Sequence, residues 1–266
     1  MSAAERPLPE PTPAADAPTL RAESLSVFLG ARQLLDRVTL DIAPRRVTAL
    51  IGASGCGKSA FLRALNRMNE TQPGARTEGR VFFEGRDVYA PDADVCALRR
   101  RVGMVFRAPQ MMPGTVFDNL AWGLRAAGTT ARSTLAARVE RALQRADLLD
   151  ELHGRLDEPA RALSPSLQQR LCVARALALD PEVLLLDEPA SDLDPIATAL
   201  LEDTLAALRE TLAVVIVTHA MSQAARVSQT TAFFDHGRLV EVAPTNVLFT
   251  RPRERATEDY LTGRYG

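Results

Sequence analysis

Gly52-Ala53-Ser54-Gly55-Cys56-Gly57-Lys58-Ser59 is the stretch that decides how this chain reads. It has the spacing G-x4-G-K-[ST]. It follows a short apolar run, Val47–Ile51, and opens a segment, Lys58–Met68, in which Leu62, Leu65 and Met68 share one helical face. Strand, glycine-rich turn and helix in that order make a cradle for phosphate. Glycines let the backbone curl so that its N–H groups point inward at phosphate oxygens. The helix start adds a positive dipole end. Lys58 would neutralise β- and γ-phosphate charge, and the Ser59 hydroxyl would ligate Mg²⁺. The expected ligand is a nucleoside triphosphate with Mg²⁺.

A second site lies downstream. Val183–Leu186 and Val214–Val217 are continuous apolar runs, the kind expected of parallel strands buried on both faces. The first ends in Asp187-Glu188-Pro189. Ligands of parallel sheets bind at the carboxyl ends of the strands. Asp187 is therefore expected to hold Mg²⁺, directly or through water. Glu188, next in line, is expected to polarise the attacking water as general base. His219 follows Val214–Thr218 on the same edge and is expected near the γ-phosphate and the water. Ser191–Asp194 is a candidate subunit contact. His153 and His236 read as surface residues.

Bulk properties bound the remainder. The 266 residues are 46% hydrophobic, enough for one large α/β domain with its own core. A net charge of −1 points neither to nucleic acid nor to an anionic membrane surface. Arg99–Arg101 reads as a solvated helix face. Cys56, Cys96 and Cys172 form no CxxC, which suits a reducing cytoplasm. No apolar run approaches the ~18 residues needed to cross a bilayer, so membrane association is expected to go through a partner.

Along the chain, residues 1–19 are rich in Pro, Ala and acidic residues and read as a disordered tail. Strands are expected at Arg21–Phe28, Val38–Ile42, Val81–Phe83 and Val102–Phe106, with Gly30 at a turn. Residues 107–163 begin with the loop Ala108–Gly114 and read as a helical insertion. With the start of the next helix they form a subdomain over 107–170. That helix runs from Ser166 to about Leu179, before Pro181. Thr231–Phe234 and Arg238–Val242 flank Asp235-His236-Gly237 as a hairpin.

The order of these features resembles the ATP-binding subunits of ABC transporters. The lysine loop is followed by a helical insertion, Leu163-Ser164 before Gln168-Gln169-Arg170, LLLDEP, SDLD, then His219. The likeness runs from about Leu20 to the end. It looks closest to the phosphate-importer branch, on residues 61–70, 97–106, 168–189, 214–228, 231–241 and 257–266. The resemblance implies a P-loop nucleotide-binding domain over 20–266: a mostly parallel core sheet, an antiparallel β subdomain and the helical insertion. It implies ATP and Mg²⁺ as ligands and hydrolysis coupled to phosphate import. It implies a second cassette, the same chain or a different one, beneath two membrane-spanning permease subunits on the cytoplasmic face of the membrane. A phosphate-binding protein would act outside. The loop near Ala108–Thr115 would meet the permeases. There Met111 and Met112 either supply an adaptable apolar contact or pack under the loop.

Several positions depart from the family pattern. The signature reads Leu163-Ser164-Pro165-Ser166-Leu167, where two glycines and a glutamine are usual. Ser164 can still offer its hydroxyl to the opposite subunit's ATP. Pro165 lacks an N–H, although Ser164 and Pro165 suit an N-cap and first helical position. Arg107 replaces a glutamine, and Ala60 a threonine. Leu29 stands where an aromatic usually stacks on adenine, leaving Phe28 as the candidate. ATP binding with slowed hydrolysis is the expectation. A regulatory cassette with little turnover is the alternative.

Overall fold

The structure is a computed structural model that describes residues 17–264. The expected tail lies outside the described residues up to 16. Its last residue, Thr19, is already tied down: its N–H donates to Ile42 and its carbonyl accepts from Glu84.

In chain order the strands are β1 (Leu20–Leu29), β2 (Arg32–Ile42), β3 (Val47–Ile51), β4 (Ala75–Phe83), β5 (Arg86–Asp87), β6 (Val102–Val105), β7 (Val183–Asp187), β8 (Ala213–Val217), β9 (Thr230–Asp235) and β10 (Arg238–Pro244). The helices are α1 (Lys58–Ala64), α2 (Val95–Arg101), α3 (Val116–Ala126), α4 (Arg132–Arg145), α5 (Leu149–Leu152), α6 (Pro165–Leu177), α7 (Pro195–Leu208), α8 (Met221–Val227), α9 (Thr245–Thr250) and α10 (Arg255–Leu261). One sheet has the order β2-β1-β4-β5 and is antiparallel. The other runs β10-β9-β3-β8-β7-β6, parallel except for the β9–β10 hairpin.

Every residue of β3, β7 and β8 is buried, as their unbroken apolar runs demand. The strand period of two then divides those residues between two cores. Ala49, Leu184, Leu186, Val214, Ile216 and Phe233 face the helical side formed by α3, α4, α6 and α7. Leu50, Leu185, Val215, Val217 and Phe234 face α1 and the antiparallel sheet. The nucleotide-type loop is thus held between a helical layer and a β layer. No helix among the described residues is long and apolar enough to cross a membrane.

Three local expectations change. β2 begins at Arg32 and β4 at Ala75, earlier than their apolar runs suggest, because their first halves, mostly polar apart from Leu34 and the buried Leu35, are paired to β1. The helix expected over Lys58–Met68 ends at Ala64. Arg67 takes a left-handed φ of 62°, and Met68–Thr71 form a 3₁₀ turn. Asparagine side chains that bond backbone carbonyls compete with helix there: Asn69 Nδ2 donates to Ala60 O at 2.8 Å and Asn66 Nδ2 to Val102 O at 3.3 Å. Arg99–Arg101 is not a uniformly solvated face. Arg99 donates to the carbonyls of Asn66 and Arg67, and Arg101 pairs with Glu182 and Glu84; Arg100 is the exposed member.

Cysteine burial sets a measurable reactivity order. Cys56 and Cys172 are buried and Cys96 is exposed. Desolvation pushes both buried thiols above their ordinary pKa, against the lowering effect of Lys58 and Arg175 respectively. The thiolate is the reactive form. A disulfide-exchange reagent at pH 8 is therefore expected to titrate one thiol per chain rapidly and the other two only after denaturation. Three fast thiols in the native protein would contradict the packing around Cys56.

Candidate nucleotide site

Four strand ends meet at one edge of the parallel sheet. The pairings Leu50 with Val217, Asp187 with Val217, and Val105 with Leu186 bring the carboxyl ends of β3, β8, β7 and β6 level. The phosphate-type loop follows β3, Asp187-Glu188 close β7, Thr218-His219 follow β8, and Phe106-Arg107 follow β6. Residues up to 165 positions apart in sequence thereby line one cleft of about 360 Å³ (Arg107, Glu188 and His219 facing Ser54, Lys58 and Ser59).

The loop is shaped by close approach. Gly52 has φ 141°, and a Cβ there would lie 2.1 Å from the Phe234 carbonyl oxygen. Gly57 has φ 106°, and its Cβ would fall 2.6 Å from the Leu34 oxygen. Neither position admits a side chain. The hairpin β9–β10 holds the loop from outside, with Gly237 N–H donating to Cys56 O at 3.0 Å.

Lys58 is only 4% exposed. Its ammonium donates to Gly52 O and Ala53 O, each at 2.7 Å, and lies 3.5 Å from Cys56 Sγ. A buried charge needs such partners, and these hold it beneath the loop, facing the cleft. Ser59 Oγ donates to Asp187 Oδ1 at 2.6 Å, and Arg63 pairs with Asp187 Oδ2 at 3.2 Å. Ser59 and Asp187 place two hard oxygens side by side, the donor type that Mg²⁺ takes. Arg63, one helical turn past Ser59, is a site residue that the sequence reading missed; its i, i+4 spacing was the available signal.

Glu188 stands at φ 49°, which costs a non-glycine residue about 1–3 kcal/mol. That turn carries its carboxylate toward the cleft. One oxygen contacts His219 Nε2; the other, Oε2, is 3.3 Å from an Arg107 guanidinium nitrogen. The Arg107 contact is an ion pair without hydrogen-bond geometry, so Glu188 Oε2 is buried with no hydrogen-bond partner. A cleft lined by Lys58 and Arg107, with an adjacent oxygen pair and an orphaned carboxylate oxygen, has the chemistry to take a polyphosphate, a divalent cation and a water.

Two expected residues stand apart. Phe28 does not line the cleft, and the Arg76 guanidinium covers its ring at 4.2 Å. Ser164 is also absent from the lining; it caps α6, accepting from Leu167 N–H at 3.3 Å, with Pro165 at the first helical position as its sequence suggested. Ser191 Oγ donates to Glu188 O, and Asp194 caps α7 through Ile196 and Ala197 N–H. His153 and His236 are exposed.

The loop after Arg107 is stapled to α6. Gln169 Nε2 donates to Phe106 O at 2.9 Å, and Arg175 Nη1 to Gln110 O at 2.6 Å. Buried Asn119 accepts from Met112 N–H and donates to the carbonyls of Met112 and Thr115. Met111 packs against the helical core, in line with the second alternative for that methionine alone.

A family model described as ABC transporter matches residues 35–191, more than half of the chain. Among solved structures, the fold is similar to that of a bacterial Atm1-family ABC exporter with ATP bound, at 24% identity and a TM-score of 0.78. The match covers 96% of this chain and 44% of that one, so this chain spans less than half of the exporter chain. It is similar also to cbiO1 from Clostridium perfringens, described as part of the ABC transporter complex cbiONQ, at 23% identity and a TM-score of 0.75, covering 89% of this chain and 92% of that one. The family match takes in both the lysine loop and the Asp187-Glu188 strand end, whose meeting builds the cleft, and on that ground the chain belongs to the ABC transporter family.

Proposed function

We propose that the chain is the ATP-binding cassette of an ABC importer complex, coupling the binding and hydrolysis of MgATP to the import of inorganic phosphate. The observation that carries the nucleotide part is the convergence of Lys58, Ser59, Asp187, Glu188 and His219 on one cleft. Loop N–H groups from Gly52 to Ser59 and the Lys58 ammonium would hold the β- and γ-phosphates. Ser59 and Asp187 would hold Mg²⁺, which when bound supplies charge neutralisation at the phosphates. Glu188 would orient and deprotonate the attacking water, with His219 fixing its carboxylate from the other side.

Ser164 belongs in this scheme as a residue offered to the cleft of a second cassette, since its own chain's cleft does not include it. Two permease subunits would receive the loop 108–115, and the assembly would sit peripherally on the cytoplasmic face of the membrane. The solute rests on the likeness of residues 61–70, 97–106, 231–241 and 257–266 to phosphate importers, and not on the cleft. Reconstitution with the permeases and a phosphate-binding protein in liposomes tests it: ATP turnover and labelled-phosphate uptake should rise together when the binding protein is loaded. Stimulation by another solute alone would sink the phosphate assignment. An isolated chain that binds no MgATP would sink the nucleotide assignment.

Slow turnover is favoured by one contact, the Arg107–Glu188 ion pair. A cation beside the general base competes with the attacking water for the carboxylate and repels Mg²⁺. Arg107→Gln is expected to raise kcat by about tenfold, equivalent to roughly 1.4 kcal/mol off the barrier, in a steady-state assay with saturating MgATP. An unchanged or lower kcat would show that Arg107 does not restrain Glu188.

The altered signature gives a separate expectation. Leu167 is 8% exposed and packs in the helical core, so replacing it would disturb the fold. Pro165→Gly with Ser166→Gly leaves that packing in place and restores close backbone approach. Turnover of this double variant should rise only at protein concentrations where cassettes pair, checked by the dependence of specific activity on concentration. A rise independent of concentration would remove the trans-acting role from this segment.

A further inference from the structure

Asp187 is held at both of its oxygens, and we propose that Arg63 is a positioning residue that acts through this carboxylate to aim the Ser59 hydroxyl for Mg²⁺. This rests on the nucleotide reading of the cleft. Asp187 closes β7 and is 3% exposed. A carboxylate buried that deeply needs a counter-charge and hydrogen-bond donors. Ser59 Oγ donates to Oδ1 at 2.6 Å, and Arg63 Nη2 donates to Oδ2 at 3.2 Å. Among the described residues these are its two side-chain partners, and Arg63 is the charged one. Lys58 donates to the Gly52 and Ala53 carbonyls, and Arg107 pairs with Glu188, so neither takes the place of Arg63 at Asp187.

Both donors come from one helix. Ser59 and Arg63 stand at i and i+4 on α1, so their side chains leave the same face one above the other. α1 packs against β7, which carries Asp187. The carboxylate is thus gripped from two successive helical turns, which fixes its rotation. The consequence falls on Ser59. A hydroxyl has one proton to donate and two lone pairs to offer. With that proton directed at Asp187 Oδ1, both lone pairs are left for a cation in the cleft that Ser59 lines. A carboxylate released at Oδ2 could turn, and the hydroxyl would turn with it. Arg63 makes no other ion pair or side-chain hydrogen bond among the described residues, and it lines the same cleft.

Arg63→Met tests the inference, because it removes the guanidinium and keeps an unbranched stem. A fluorescent ATP analogue is titrated in EDTA and at a series of Mg²⁺ concentrations, beside the thermal midpoint of the nucleotide-free protein. The half-saturating Mg²⁺ concentration is expected to rise about tenfold, the size of one charged hydrogen bond, with affinity in EDTA unchanged. Arg63→Lys, which keeps a cation beside the buried carboxylate if Arg63→Met does not fold, should shift it in the same direction by less. In a Ser59→Ala background Arg63→Met should add nothing further, since residues that act through one another are not additive. An unchanged Mg²⁺ requirement overturns the inference. A lower requirement also overturns it, by showing that Arg63 competes with the metal for Asp187. Affinity that falls in EDTA overturns it in favour of a direct phosphate contact, and full additivity with Ser59→Ala removes the relay. Wild-type protein that binds the analogue neither with nor without Mg²⁺ overturns the nucleotide reading itself.

Discussion

A buried ammonium needs acceptors, and around Lys58 the chain has arranged its own backbone to supply them. Two carbonyls and a thiol sulfur surround the nitrogen, and they belong to Gly52, Ala53 and Cys56, the residues that make the loop. To bring those carbonyls inward, the backbone must pass where side chains would collide with Phe234 and Leu34. The glycines, the hairpin that crowds them and the strand β2 behind them all follow from that demand. Desolvating a charge is costly unless it is paired, so the loop and its lysine form one unit. A phosphate group entering the cleft would be an additional partner for a charge already held in place.

The parallel sheet adds the rest of the site by register alone. Level strand ends put Asp187, Glu188 and His219 beside a loop more than 120 residues earlier in sequence. Ser59 then reaches Asp187 across the edge. Glu188 is the point of tension. It is turned inward by a left-handed backbone, contacted by His219, and faced by a guanidinium that does not satisfy it. One exposed cation therefore sits where a neutral amide is usual in the family, while the phosphate-type loop and the adjacent carboxylate keep the usual pattern.

Much of this was legible in the sequence where a residue type has only one physical use. Unbroken apolar runs gave β3, β7 and β8; the glycine-lysine spacing gave the loop; Ser164-Pro165 gave a helix start. Less was legible where long-range partners decide. The first halves of β2 and β4 form strands because β1 lies between them, and α1 stops early because Asn66 and Asn69 find carbonyls elsewhere. The adenine-side residue was inferred from neighbourhood in sequence, yet Phe28 carries Arg76 on its ring instead of lining the cleft. The Tyr260 ring stacks on Phe233 only because the chain folds back through a hairpin and two helices, and no local pattern encodes that.

The two staples between α6 and the loop after β6 have a mechanical meaning. Gln169 and Arg175 are six residues apart, so they grip Phe106 and Gln110 about 9 Å apart along the helix axis. A rod held at two points cannot swivel about either. The outer loop near Met112 is thus tied to the body of α6, and Ser164 sits at the N-terminal tip of that rod. Arg107 rides on the same piece, one residue past the first staple. The outer loop, the ion pair that restrains Glu188 and the Ser164 end of α6 are therefore joined in one connected piece.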